Sequence, residues 1–350
     1  MMKRKKWMAL LLVGAMLLAL GACGASDDTA GDTSDTTQPE DAGATAEPGE
    51  SSPEQQVYTV GICEYMQHPA LDQATAGFEA ALVEKLGEDG VEFVKQNAAG
   101  DAPTCATICN QLVSDGVDLI LANATASLQA AAAATNEIPI LGTSITDYAT
   151  ALDIDDWTGV TGTNISGTSD LAPLDQQADM LHELFPEAQN VGLLYCSGEP
   201  NSAYQANIIR GYLEAYGYTV SDYTFADSND VAAVTGNACS DSDVLYIPTD
   251  NTAASCTEAI QNVALPAGVP IIAGEEGICS GCGVATLSIS YYDIGYEAGL
   301  MAYEILVNGA DVGAMEVQTA TEVTPKYNAA NCEAFDLQVP DNYVAIETAA

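Results

Sequence analysis

Positive charge is what this chain has least of. Its 350 residues include only 8 Lys and Arg against 50 Asp and Glu, for a formal charge of −42. Four of the eight, Lys3, Arg4, Lys5 and Lys6, lie in the first six positions. Everything after them has Lys85, Lys95, Arg210 and Lys326 alone, four cations against 50 anions, or −46. Such a polyanion lacks a basic footprint for nucleic acid and is repelled by anionic membrane surfaces. Histidine is scarce too. With only His68 and His182 and a single CxxC, Cys279–Cys282, a four-ligand zinc site is not expected. There is no G-x-S-x-G elbow and no Gly-rich loop ending in Lys-Ser/Thr, so no catalytic residue and no cofactor is nominated. The hydrophobic fraction of 48% is nevertheless that of a folded protein, long enough for two domains or one large one.

The N-terminus reads as an export signal over residues 1–22. The basic cluster precedes an apolar run, Trp7–Leu20, that is short of the roughly 20 residues a membrane-crossing helix needs. Leu20-Gly21-Ala22-Cys23 resembles a bacterial lipobox, which implies cleavage before Cys23 and a lipid on it. That lipid would be the only membrane contact, placing the body outside the cytoplasm on the bacterial cell membrane. Residues 23–56 complete the leader. From Gly24 on they hold no large apolar side chain and many like charges, the composition of an extended, disordered tether.

From Val57 onward, short β-branched runs alternate with longer helical patterns. Strands are expected at Val57–Cys63, Val91–Asn97, Asp118–Asn123, Ile138–Thr143 and Gly159–Thr163. A second set follows at Val191–Cys196, Tyr218–Phe225, Asp243–Pro248, Val269–Gly274 and Ala285–Ser290. Helices are expected at Pro69–Lys85, Pro103–Ser114, Thr125–Thr135, Pro173–Leu184, Asn201–Tyr216, Asp230–Cys239, Thr252–Val263 and Asp293–Asn308. Strand–helix alternation at this spacing predicts an α/β fold of two doubly wound, Rossmann-like lobes, one plan written twice. Open sheets of this kind bind ligands at the carboxyl ends of their strands, so two facing lobes share a cleft.

The loops at those ends are polar. Gln67 and His68 precede the first helix, Thr125 opens the third, and Thr143, Ser144 and Asp147 follow the fourth strand. In the second half Glu199, Asn201 and Ser202, then Asp250 and Asn251, then Glu275 hold the corresponding places. Helix N–H groups and hydroxyls suit a carboxylate, and Asp250, Glu199 or Glu275 suit an ammonium. The same residue types are also ordinary helix caps. Tyr65, Tyr148, Tyr204 and Tyr291 flank these loops and could stack on an aromatic ring or simply pack.

Four segments carry a resemblance: Gly198-Glu-Pro-Asn-Ser202, Ile247-Pro-Thr-Asp-Asn-Thr252, Gln67-His-Pro-Ala-Leu-Asp72 and Tyr291-Tyr-Asp-Ile-Gly295. In order and spacing, from about Val57 to Met315, the chain resembles the ABC-transporter substrate-binding lipoproteins whose known members bind tryptophan, phenylalanine or tyrosine. The resemblance implies a type I periplasmic-binding fold. Its lobes would comprise residues 57–165 plus 291–320 and residues 166–290 plus 321–350, crossing near Gly162–Ser169, Ser288–Asp293 and after Val317. It implies no enzyme activity, a small-molecule ligand, a membrane permease powered by a separate ATPase, and a monomer. The ligand residues it carries over are Gln67, His68, Thr125, Thr143, Ser144 and Asp147 from one lobe. The other lobe contributes Glu199, Asn201, Ser202, Asp250, Asn251 and Glu275, with Asp250 foremost for the ammonium. Where the family has Asp before the Tyr-Tyr pair, this chain has Ser290, and no arginine clamp is in reach of a ligand carboxylate. A nucleoside, sugar or signal molecule in the same fold remains open, as does a sensor or adhesive lipoprotein without transport. Beyond Cys23 nine cysteines remain, and Cys279–Cys282 is either a disulfide or a plain loop.

Overall fold

A computed structural model describes residues 56–320 and 322–347. The export signal, the lipobox and nearly all of the tether lie outside the described residues.

The first half runs β1 (Tyr58–Glu64), α1 (Pro69–Leu86), β2 (Val91–Asn97), α2 (Ala102–Asp115), β3 (Leu119–Asn123), α3 (Thr125–Ala134), β4 (Ile140–Ile145), α4 (Tyr148–Leu152) and β5 (Ile165–Ser169). The second runs α5 (Leu174–Leu184), β6 (Asn190–Cys196), α6 (Pro200–Ala215), β7 (Thr219–Phe225), α7 (Val231–Asp241), β8 (Val244–Ile247), α8 (Asn251–Ser255), α9 (Thr257–Ala267), β9 (Ile271–Ala273), α10 (Glu276–Gly281) and β10 (Ala285–Ser288). Then come α11 (Tyr291–Asn308), β11 (Gln318–Thr319), β12 (Thr324–Tyr327), α12 (Ala329–Ala334) and β13 (Val344–Ala345).

Two sheets result, ordered β11-β5-β4-β3-β1-β2 and β13-β12-β10-β9-β8-β6-β7. Within each, the first five strands of the half take the same order, second-first-third-fourth-fifth, and run parallel. Only β12 pairs antiparallel, against β10. Both faces of each sheet are covered, which explains the unbroken apolar runs. In β3, Leu119 and Leu121 face α1 and α11 while Ile120 and Ala122 face α2 and α3. In β8, Val244 and Tyr246 face one layer and Leu245 and Ile247 the other.

The chain passes between sheets three times: β5 to α5 through 170–173, β10 to α11 through Ile289 and Ser290, and between β11 and β12. The first lobe boundary therefore lies after Ser169, not at 165. The fifth strand is also not at Gly159–Thr163. Gly159 and Gly162 adopt φ of 94° and 68° there, which breaks extended pairing, and the Thr161 hydroxyl donates to the Ile165 carbonyl. Cys256, with φ −120° and ψ 18°, splits the helix expected at Thr252–Val263 into α8 and α9.

Helix α11 packs closely on α1 in the first lobe. At Gly295 an added Cβ would lie 1.9 Å from the Ala74 carbonyl oxygen, and at Gly77 it would lie 2.1 Å from that of Tyr292. Backbone meets backbone there, and α1 is held with His68 at its N-cap.

Candidate functional site

The carboxyl ends of both sheets meet at a narrow cleft. From the first lobe and the first crossing come His68, Leu71, Ser144, Thr146 and Asp170. The second lobe supplies Asn201, Thr249, Asp250, Asn251, Ala254 and Glu275, and the start of α11 adds Tyr291. The lobes touch across it. His68 Nε2 lies 3.1 Å from Asn251 Oδ1, and Gln205 Nε2 donates to the Thr146 hydroxyl at 3.5 Å. Gln205 also donates to the Thr249 hydroxyl, tying that contact to the loop before α8.

The acids of the second lobe are organised by helix starts. Glu199 accepts at Oε1 from the Thr252 amide (2.8 Å) and hydroxyl (2.7 Å). Its Oε2 accepts from the Asn251 amide (3.0 Å), Asn251 Nδ2 (2.7 Å) and Asn201 Nδ2 (3.2 Å). Asp250 caps α8 through Ala253 N (2.8 Å) and also accepts from Cys196 N (2.6 Å). Glu275 caps α10 through Gly277 N (2.6 Å) and Ile278 N (2.5 Å). At the first crossing, Asp170 accepts from the Thr146 hydroxyl (3.0 Å) and the Tyr291 hydroxyl (2.9 Å).

Burial, with the Glu199 carboxylate beside it, raises the Asp250 pKa well above the usual carboxylate range. Burial pushes Glu275 up to about 7, aided by Glu276 and Asp170, and it also raises Asp170. His68 is held below its ordinary value by burial, against the pull of Asn251, Glu199 and Asp72, which favours the uncharged ring. Two buried polar atoms on the cleft residues lack a protein partner: His68 Nδ1 and Ser144 Oγ.

These acids set a pH dependence. A carboxyl whose pKa is raised by folding keeps a proton that the unfolded chain has released, so stability falls as pH rises from the ordinary carboxylate range up to the raised value and levels off above it. Above pH 6.5 His68 no longer opposes this, because its lowered pKa affects stability only at lower pH. The ligand-free protein should therefore lose stability between about pH 6.5 and 8.5. Denaturant midpoints across that window check it, and a rising midpoint would contradict the assignment.

Of the residues expected from sequence, His68, Ser144, Asn201, Asp250, Asn251 and Glu275 line the cleft. The others do not. Gln67 is exposed, Thr125 is buried, and Thr143 accepts from the Thr168 hydroxyl in the first-lobe core. Asp147 caps α4 through Thr150 N, and Glu199 and Ser202 lie buried behind the wall. Thr146, Asp170 and Thr249 were not expected. Ser290 is exposed and caps α11 through Asp293 N. Among the tyrosines considered, Tyr291 lines the cleft, whereas Tyr148 donates to the Thr168 carbonyl and stacks on Trp157. Arg210 pairs with Asp222, away from the cleft. Cys279 and Cys282 are free buried thiols.

Over residues 59–349 the chain matches the ABC transporter substrate binding protein family. The chain belongs to that family. A tyrosine-binding protein of Clostridioides difficile (strain R20291) is 34% identical over 340 residues, 97% of this chain and 94% of the relative. The ABC domain from Streptococcus pneumonia in complex with L-Trp superposes with a TM-score of 0.78 at 28% identity, covering 82% of this chain and 97% of that one. The ligand-free, open structure of a substrate binding protein with adhesive properties from Clostridium difficile superposes at 0.64, although it is 34% identical and 84% of this chain and 100% of that one are covered. The better fit to the Trp complex, despite lower identity, agrees with lobes already joined at His68 and Asn251. This substrate-binding protein has the two parallel-sheet lobes of the type I periplasmic-binding fold, and its family acts outside the cytoplasm by binding and not by catalysis.

Proposed function

We propose that this substrate-binding protein captures an aromatic amino acid, tyrosine, tryptophan or phenylalanine, and hands it to the permease of an ABC importer. In this reading a lipid on Cys23 holds it as a monomer at the cell surface. The observation that carries the ligand class is a division of labour across the cleft. The first lobe offers the N-terminus of α1, which has no side-chain cap, together with the unpartnered Ser144 hydroxyl. These are donors for a carboxylate. The second lobe offers the carboxylates of Asp250 and Glu275 to an ammonium. Tyr291 and Leu71 supply apolar surface beside them. The tyrosine-binding relative and the Trp-bound neighbour support the same class.

The test is thermal unfolding of the protein, stripped of carried ligand by unfolding and refolding, against each amino acid at about 1 mM. A ligand with a dissociation constant near 1 μM adds about 4 kcal/mol of stability. The expected result is a rise confined to the aromatic amino acids. No rise with any of them sinks the assignment and brings sugars and nucleosides forward.

A further inference from the structure

The cleft is unequal in what it offers the two ends of such a ligand. In the second lobe the helix N–H groups are already taken: Asn251 N and Thr252 N by Glu199, Ala253 N by Asp250, and Gly277 N and Ile278 N by Glu275. What remains there is acceptor capacity on buried carboxylates. His68 adds to it. Glu199 takes Asn251 Nδ2, which fixes that amide with Oδ1 toward His68, so Nε2 carries the ring proton and donates. The unpartnered Nδ1 of the neutral ring is then a bare lone pair, buried in the cleft wall. Among the described residues no Lys or Arg lines the cleft. Each of the four in the folded body is paired elsewhere, with Glu84, Glu79, Asp222 and Glu276. The carboxylate end of a ligand meets only neutral donors, Ser144 and the α1 N-terminus.

Three acids, Asp170, Asp250 and Glu275, thus face the ligand space with no protein cation. An ammonium offsets them, whereas a second anion in the same space adds repulsion. If the ligand carboxylate is missing, water can occupy the neutral donors at little cost. If the ammonium is missing, buried carboxylates are left unpaired, which water in a narrow cleft does not repair. Building on the aromatic-receptor reading, we propose that the amine is the obligatory group and the carboxylate dispensable, so that primary arylalkylamines are ligands of this cleft.

The experiment is calorimetry on the full chain at pH 8, above the value to which Glu275 is pushed, with four probes. These are tyrosine, tyramine, N-acetyltyrosine and 3-(4-hydroxyphenyl)propionate, with tryptophan and tryptamine as a second series. Tyramine or tryptamine should bind within about thirtyfold of its parent amino acid and compete with it, while the two probes without a free amine fall off by more than about a hundredfold. Amino-acid binding with the amine weaker than that thirtyfold margin overturns the inference and leaves the receptor reading intact. Amine binding without amino-acid binding upholds the inference and removes the amino acid as the cargo. Silence from both classes overturns both.

Discussion

Replacing Glu199 by alanine should abolish measurable ligand binding, a loss of more than about a hundredfold, and cost about 3 kcal/mol of stability. Glu199 does not line the cleft, yet it takes five donors from Asn201, Asn251 and Thr252. Its removal leaves two backbone amides at the start of α8 without an acceptor, that of Thr252 buried and that of Asn251 half-buried. It also frees the Asn251 amide to rotate, and the contact with His68 across the lobes goes with it. Glu199→Gln is the informative companion. It keeps the shape but turns an NH2 toward donors on one side, so its loss should be intermediate. Guanidinium unfolding and calorimetry separate the two effects, and wild-type affinity in Glu199→Ala would refute the role.

The second large effect lies outside the cleft, one helical turn from Leu71 and Tyr291. Gly295→Ala should destabilise the protein by about 3 kcal/mol, because the new methyl must displace α11 from α1. Ala74 presents backbone, not a movable side chain, at 1.9 Å. Gly211→Ala is the control: it lies in α6, is exposed, and has nothing within 4 Å of its added Cβ. That change should stabilise by about 0.5–1 kcal/mol through helix propensity. Equal denaturant midpoints for the two variants would show that the α1–α11 contact yields. A shift of α1 also moves His68 at its N-cap, so Gly295→Ala should weaken ligand binding as well.

The lobes were legible in the sequence because most of their parallel strands are flanked by a helix long enough to show its period. α1, α5, α6 and α11 fall within a few residues of their expected places. The failures have local causes. β5 is Ile-Ser-Gly-Thr-Ser, fully buried yet poor in bulk, so it reads as a loop, while the β-branched residues just before it read as a strand. With the strand misplaced, Asp170 at its carboxyl end went unnoticed. β11 and β13, at two residues each, are too short to pattern. Asp250, Glu275 and Asn201 stood out because such residues gather before helices, and that is also why their roles were ambiguous. The structure has Asp250 and Glu275 both capping and lining the cleft, while Asp147 only caps. No sequence pattern separates those cases, since the difference is which side of the helix start faces the other lobe.

The three passages between the sheets bear on the order in which the molecule is made. Residues 58–169 supply five strands of the first sheet, yet the face that α1 and α11 cover together lacks α11 until Asn308 has left the ribosome. The second sheet in turn lacks β12 until Tyr327. Neither half is finished before nearly the whole chain exists, so folding is committed late and both lobes mature together. A chain that crosses between its sheets three times should not yield two working pieces when it is cut between the lobes.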